Sequence, residues 1–268
     1  MRKFHFKRQA RIGDWACLFQ GDCLETLEDA GKFDVVVTDP PYSSGARRDA
    51  DRQVRGPMMR MVESDDWFSH DEMTTWGFSW FLRSVFLGIR PRMKPGGHVY
   101  VFTDWRQTPN VYAILESAGF RVNHCLVWRK TTFGMGAYWR NQHENVVFAS
   151  AGQPAPMLDR GRGSVLECQN VTPAKRVHPT EKPVALMQQI ISAVPGQTIL
   201  DPFMGSGSTG EACGNLGRNF VGIEVDGAYF DVAAERLRRF HKQPSLMPWA
   251  TLAAADLPFG DTGNGNKE

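Results

Sequence analysis

The sequence lacks long apolar runs, paired cysteines and a strong net charge. No segment approaches the roughly 18 consecutive apolar residues of a membrane span, and the first residues lack the apolar core of a secretory signal. The five cysteines form no C-x-x-C pair and no cluster with histidine, which argues against a disulfide framework and against a metal site. We therefore expect a soluble cytoplasmic protein with no membrane partner and no metal.

The overall charge says little about partners, because 31 basic residues stand against 29 acidic ones. Local clusters are more informative. Arginines crowd the loop 43–70, and a second basic cluster occupies residues 1–17. Each cluster favours contact with nucleic acid, although an ordinary solvated surface is an equal alternative for either one alone.

Short β-branched runs alternate with helical patterns, which predicts an α/β domain with a mostly parallel sheet and helices on both faces. The predicted strands are 34–38, 98–102, 125–128, 145–149, 198–201 and 220–224. The predicted helices are 74–90, 109–118, 183–194 and 227–241, with a further helix after Gly210. Residues 43–70, residues 151–177 and the chain from about residue 258 have no steady period, and we expect disorder in the last of these.

The stretch "ILDPFMGSGSTG", residues 199–210, joins a predicted strand to a predicted helix through Gly205, Gly207 and Gly210. This pattern is typical of a loop that lets a nucleotide approach the backbone at a helix amino end. Glu224 ends the next predicted strand, where a carboxylate can accept hydrogen bonds from both ribose hydroxyls. The motif predicts a ligand with a ribose, and NAD is one candidate.

Two observations argue against NAD. Too few residues follow Gly210 for the second half of a dinucleotide-binding sheet. Asp201 and Phe203 precede the glycines, and a carboxylate beside an aromatic ring suits a cationic ligand without phosphate better than a pyrophosphate. S-adenosylmethionine has both properties. A Walker-type phosphate site is excluded, because no Gly-Lys-Ser/Thr follows the loop.

The tetrapeptide "DPPY", Asp39 to Tyr42, follows the apolar run that ends at residue 38. Its prolines stiffen the chain and offer no N–H donor. The Asp39 carboxylate and the Pro40 carbonyl could accept the two hydrogens of an exocyclic amino group, while the Tyr42 ring stacks on the base. If this loop meets the glycine loop at one sheet edge, a base flipped out of a duplex could reach the methyl group of the cofactor.

The motifs DPPY, HPTEKP (residues 178–183) and DPFMGSGSTG, in this order, resemble those of the DNA amino-methyltransferases in their β permutation. The resemblance covers roughly residues 18–240. It implies a single Rossmann-like domain that uses S-adenosylmethionine to methylate DNA at adenine N6. Cytosine N4 stays open as the alternative, because Asp39 could accept from either amino group and a leading aspartate is only the commoner adenine form.

The resemblance also implies roles for individual residues. The catalytic residues would be Asp39, Pro40, Pro41 and Tyr42. The cofactor-binding residues would be Asp22, Cys23, His178, Thr180, Lys182, Asp201, Pro202, Phe203, Gly205, Ser206, Gly207 and Glu224. The local basic residues and the aromatic at 139 give the candidate DNA-binding residues, with packing an equal alternative for Trp139 and Arg140: Arg47, Arg48, Arg52, Arg55, Trp139, Arg140, Arg160 and Arg162.

These assignments divide the chain into a basic arm (1–17), a catalytic domain (18–242) and a partly disordered tail (243–268). Within the domain, 43–70 is the active-site and DNA loop, and 151–177 is a target-recognition insert whose shortness predicts short or relaxed sequence specificity. A homodimer and a functional pairing with a restriction endonuclease are consistent with the resemblance. Among other readings, an NAD oxidoreductase leaves DPPY unexplained, and a non-catalytic DNA-binding subunit would be natural only if Asp39 or the glycines were lost.

Overall fold

The computed structural model describes residues 5–41, 73–133, 138–169 and 181–242. The strands in these ranges are β1 Arg8–Ile12, β2 Ala16–Gln20, β3 Phe33–Thr38, β4 Met93–Thr103, β5 Arg121–Arg129, β6 His143–Ser150, β7 Val165–Glu167, β8 Thr198–Asp201 and β9 Asn219–Glu224. The helices are α1 Cys23–Thr26, α2 Thr75–Ile89, α3 Thr108–Ser117, α4 Val184–Ile191, α5 Ser208–Asn215 and α6 Gly227–His241.

The described strands form one nine-stranded sheet in the order β1-β2-β9-β8-β3-β4-β6-β5-β7. Its centre, from β2 through β9, β8 and β3 to β4, is parallel. Strands β1 and β6 run antiparallel to their neighbours, whereas β7 is parallel to β5. Because these five strands are parallel, their carboxyl ends lie along one edge of the sheet, which we call the carboxyl edge. The strands are β2, β9, β8, β3 and β4.

Two apolar layers bury the two faces of this sheet, because side chains along a strand point alternately to opposite sides. Val35 and Val37 of β3 pack into the layer that α4, α5 and α6 cover, and Val36 packs into the layer of α1, α2 and α3. The predicted fold class, a mostly parallel sheet with helices on both faces, is confirmed.

All predicted strands and helices occur, with ends that shift by up to a few residues. The structure adds β1, β2, β7 and α1. Residues 1–17 are not simply a basic arm, since β1 lies inside this range and pairs with β2 as an edge strand. Ala10 and Ile12 of β1 are buried in the sheet, while Arg11 between them is exposed. The basic residues of this segment therefore include the exposed positions of a strand with alternating burial.

No helix in the described ranges is long and apolar enough to cross a membrane. Among the same residues, no group of histidine, cysteine and carboxylate side chains could hold a metal ion.

Candidate active site

The DPPY loop and the glycine loop leave neighbouring strands at the carboxyl edge. Asp39 directly follows β3, Asp201 ends β8, and the two strands pair in parallel. The hydroxyl of Thr38 donates a hydrogen bond to Asp201 Oδ1 at 3.0 Å, across 163 positions of sequence. The structure thus brings together the two motifs that the sequence predicts to converge.

Asp201 is only 3% exposed and is bonded on both oxygens. Besides Thr38, the Phe203 amide donates to Oδ1 at 3.1 Å, and the Thr209 hydroxyl donates to Oδ2 at 2.7 Å. Burial raises the pKa of Asp201 to about 7, and the nearby charge of Asp39 adds to the shift, although these hydrogen bonds oppose it. Asp201 fastens the start of the glycine loop to β3 and α5, and its predicted contact with a cofactor stays a prediction.

The glycine loop curves over the end of β9. Gly205 and Gly207 have φ of +50° and +83°, a region that residues with a Cβ rarely adopt. The Gly205 amide donates to Glu224 Oε2 at 2.9 Å, and the Asp226 amide donates to Oε1 at 2.9 Å. Burial raises the pKa of Glu224. A Cβ on Gly205 would meet no described atom within 4 Å, so the backbone here borders open space.

The end of β2 adds Asp22 and Cys23 beside Glu224. The Gly21 amide donates to the Glu224 carbonyl at 2.9 Å, which holds the two strand ends together. Asp22 is the N-cap of α1 and accepts from the Leu24 amide at 2.9 Å. Cys23 is buried, and this burial raises the pKa of its thiol.

The Lys182 ammonium lies next to Asp39. It donates to Asp39 Oδ2 and lies 3.2 Å from Glu144 Oε2, and Lys130 donates to Glu144 Oε1. Neither Glu144 nor Lys130 was predicted from the sequence. The available signal for Glu144 was a carboxylate two residues before the apolar run 146–149 of β6.

A second ionic cluster ties the residue before Lys182 to the glycine loop. Arg236 of α6 pairs with Glu181, and its Nε lies 2.8 Å from Glu211 Oε2 of α5. Arg236 also donates to the Ser206 carbonyl at 3.0 Å and to the Ser206 hydroxyl at 3.2 Å. Ser206 is therefore held by α6, and Glu181, which directly precedes Lys182, is held by the same helix.

Comparison with known proteins identifies the family. The sequence model of the N6/N4 methyltransferases, described as DNA methylase, matches residues 33–235. The chain belongs to the DNA methylase family. The predicted resemblance is confirmed, and the protein is a DNA methyltransferase of the N6-adenine/N4-cytosine group.

One curated relative and two solved structures illustrate the likeness. The methylase is 30% identical over 222 residues to the putative methylase YubD of Escherichia coli, with 81% of this chain and 88% of YubD covered. The crystal structure of the M1.HpyAVI–SAM complex aligns with a TM-score of 0.63 at 24% identity, covering 83% of this chain and 98% of that one. The cytosine-N4-specific PvuII DNA methyltransferase aligns with a TM-score of 0.64 at 15% identity, covering 89% and 95%. At these identities the two structures show the fold.

The turn between β5 and β6 projects aromatic side chains from the carboxyl edge of the methylase. Strand β6 begins there, since Asn145 pairs with Thr103 at the end of β4. Tyr138 and Trp139 are 93% and 99% exposed. The Arg140 guanidinium lies 5.4 Å from the centre of the Phe133 ring.

The remaining predicted DNA contacts of the methylase are not at this edge or fall outside the described residues. Arg160 and Arg162 precede β7, and Arg162 bonds to Asp159 at 2.8 Å and to the Gln189 carbonyl. The predicted site residues outside the described ranges are Tyr42, Arg47, Arg48, Arg52, Arg55, His178 and Thr180.

Proposed function

We propose that this DNA methylase transfers a methyl group from S-adenosylmethionine to N6 of an adenine flipped out of DNA. The observation that carries the proposal is the hydrogen bond from Thr38 to Asp201, because it joins the strand ends that bear Asp39 and the glycine loop. A base held at Asp39 and a cofactor held on the glycine loop would then face each other at one sheet edge.

The residues of the glycine loop fit S-adenosylmethionine. The Gly205 backbone borders open space among the described residues, so a ligand can approach it closely. The Glu224 carboxylate accepts one amide on each oxygen, and each oxygen has a second lone pair for a ribose hydroxyl. We assign Asp22 and Cys23 to the adenine side of the cofactor, and Phe203 and Ser206 to its methionine side. When bound, S-adenosylmethionine supplies an electrophilic methyl group on a sulfonium.

Asp39 and Pro40 act on the target amino group. The lone pair of an exocyclic amine is delocalised into the ring, which makes the nitrogen a poor nucleophile. Acceptance of its two hydrogens by the Asp39 carboxylate and the Pro40 carbonyl favours a pyramidal nitrogen with its lone pair directed at the methyl group. The carboxylate also stabilises the positive charge that would develop on nitrogen as the N–C bond forms and the S–C bond of the sulfonium breaks. S-adenosylhomocysteine would be the leaving group, and the methylated nitrogen would return to neutrality by losing one proton to solvent. Flipping the base costs a few kcal/mol, which contacts with the protein must offset.

The test is incubation of the protein with labelled S-adenosylmethionine and duplex DNA, followed by nucleoside analysis. We expect N6-methyladenine from the wild type and a loss of at least about 100-fold in rate for Asp39→Ala. Absence of any methylated nucleoside from the wild type would refute the proposal and favour a non-catalytic subunit. Full activity of Asp39→Ala would refute the role of Asp39.

Cytosine N4 is the second candidate, and the fold itself supports it equally, since the cytosine-N4-specific PvuII enzyme has the same architecture. The leading aspartate of DPPY favours adenine by resemblance. N4-methylcytosine in the digest would overturn the choice of base while leaving methyl transfer intact.

We further propose that the DNA face combines the turn at Trp139 and Arg140 with the arginines of the loop 43–70. The short insert 151–177 supports short or relaxed specificity, because it offers little surface for reading bases. Mapping of modified positions in a random duplex tests this, and dependence on a six-base site would contradict it. Because its substrate would be DNA, we propose that the protein acts in the cytoplasm. Pairing with a second copy of the chain or with a restriction endonuclease stays a prediction.

A further inference from the structure

Four charged side chains form a continuous row of ion pairs that begins at Asp39. Lys182 donates to Asp39 Oδ2 and lies 3.2 Å from Glu144 Oε2, and Glu144 in turn accepts from Lys130. The side chain of Lys182 is only 7% exposed. Negative and positive side chains alternate along this row, so the charges of the four groups sum to zero.

Burial of an ammonium without partners would be costly, and here two carboxylates offset that cost. Burial lowers the pKa of Lys182, yet Asp39 and Glu144 outweigh it and hold this pKa above its ordinary value. Burial likewise acts to raise the pKa of Glu144, and the two lysines hold it below the ordinary value. Lys182 and Glu144 are therefore both charged near neutral pH.

The position of Lys182 is fixed from several sides. It directly precedes Pro183, the N-cap of α4, and its neighbour Glu181 is held by Arg236. Its Nζ lies 5.4 Å from the centre of the Phe102 ring. An ammonium held this firmly restricts rotation of the carboxylate to which it donates.

We propose that Lys182 is a positioning residue that orients the Asp39 carboxylate for the target amino group, and that Glu144 and Lys130 hold Lys182 in place. This inference rests on the proposed function of Asp39, and it differs from the predicted role of Lys182 in lining the cofactor pocket. Glu144 has a second effect. Its negative charge reduces the positive potential that Lys182 adds where the amino nitrogen gains positive charge.

The first experiment compares Lys182→Met with the wild type in single-turnover methylation and in cofactor binding. We expect the methyl-transfer rate to fall at least tenfold while the Kd for S-adenosylmethionine, measured without DNA, changes less than twofold. Lys182→Arg should recover part of the rate, and Glu144→Gln should lower it by a smaller factor. A weakened Kd with an unchanged rate would overturn the inference in favour of a cofactor contact.

Lys94→Met is the matched control. Lys94 of β4 lies 2.6 Å from Asp34 Oδ1 of β3, so this variant also removes a lysine–aspartate pair, but at the end of β3 opposite to Asp39. It should methylate at the wild-type rate. If Lys182→Met fails to fold by circular dichroism, Glu144→Gln and Lys182→Arg carry the test, and wild-type rates in both would overturn the inference.

A double-mutant cycle shows whether Lys182 acts through Asp39. In an Asp39→Asn background, Lys182→Met should change the single-turnover rate less than twofold, whereas independent roles would give multiplied losses. An inactive wild type would refute the proposed function itself. An active wild type with an equally active Lys182→Met would refute only the present inference.

Discussion

The hydroxyl of Thr38 donates a hydrogen bond to the buried carboxylate of Asp201 at 3.0 Å. This bond crosses from β3 to β8 immediately before the two loops of the site begin. Both residues are buried within paired strands. The DPPY loop and the glycine loop therefore start from adjacent points of the same sheet. In the proposed function, the relative position of the target base and the cofactor therefore depends on these paired strands.

Removal of this hydrogen bond should lower the stability of the folded protein. In Thr38→Val the buried Asp201 carboxylate loses one of its hydrogen-bond donors, and we expect the free energy of unfolding to fall by about 1–3 kcal/mol. Urea unfolding monitored by circular dichroism measures the change.

Thr103→Val provides the control for Thr38→Val. Thr103 is also buried at the carboxyl end of a strand, but its hydroxyl makes only a long contact of 3.4 Å to the Asp104 carbonyl. Equal destabilisation by the two variants would show that the bond to Asp201 has no special weight.

The buried carboxylate of Asp201 should make stability depend on pH. Its pKa of about 7 in the fold lies above the ordinary value of 3.8, so between these values the folded state keeps a proton that the unfolded state has lost. Stability from this group therefore decreases as pH rises through that window, by about 1.4 kcal/mol for each unit of pKa difference. Asp201→Asn should show a smaller loss between pH 5 and pH 8 in urea unfolding.

Asp34→Asn is the matched comparison for Asp201→Asn, because the fold shifts the pKa of Asp34 in the opposite direction. Burial opposes ionisation of Asp34, but Lys94 and the amides of Thr198 and Gln197 hold its pKa below the ordinary value. Its contribution to stability is present above the unfolded pKa and is lost only as pH falls through the lower, folded pKa. Asp34→Asn should thus reduce stability equally at pH 5 and pH 8. The same pH dependence in both variants would contradict the assignment for Asp201.

Arg236 should control cofactor affinity through the glycine loop. It holds the Ser206 carbonyl and pairs with Glu181 and Glu211, so Arg236→Met frees one side of the loop. We expect the Kd for S-adenosylmethionine to rise roughly tenfold, equivalent to about 1.4 kcal/mol, in isothermal titration calorimetry. Arg239→Met removes an exposed arginine from the same helix, where it pairs only loosely with Glu235 at 3.4 Å, and should leave the Kd unchanged.

The exposed tryptophan at the β5–β6 turn should contribute to DNA binding. Stacking of an aromatic side chain on a base is worth about 1–3 kcal/mol, so Trp139→Ala should raise the Kd for DNA roughly tenfold in a fluorescence anisotropy titration and leave cofactor binding intact. Trp80→Ala, which removes another exposed tryptophan on the outer face of α2, is the control. Similar DNA affinity in both variants would contradict a role for the turn.

The central strands could be predicted from sequence because both of their faces are buried. Residues 34–38 and 98–102 form nearly continuous apolar runs, which is the pattern of a parallel strand between two helical layers. Strand β1 was not predicted because it lies at the sheet edge and carries Gln9 and Arg11 on its exposed face. Its alternation looks like a basic segment until the partner strand is known.

The site was predictable in outline and not in its ionic detail. The order of the motifs and the rule that ligands bind at the carboxyl ends of parallel strands predicted that Asp39 and the glycine loop meet. The contact of Lys182 with Glu144 was not predictable, because it depends on how α4 approaches β6 across the sheet. Spacing along the chain does not encode such a contact.

The placement of β9 between β2 and β8 has a consequence for biosynthesis. A nascent chain that has emerged only as far as β6 carries the DPPY strand, but the neighbours that complete its sheet are still inside the ribosome or not yet translated. The DPPY loop and the glycine loop can meet only after β8 and β9 have inserted between β2 and β3. The order of translation therefore places assembly of the site after synthesis of β9.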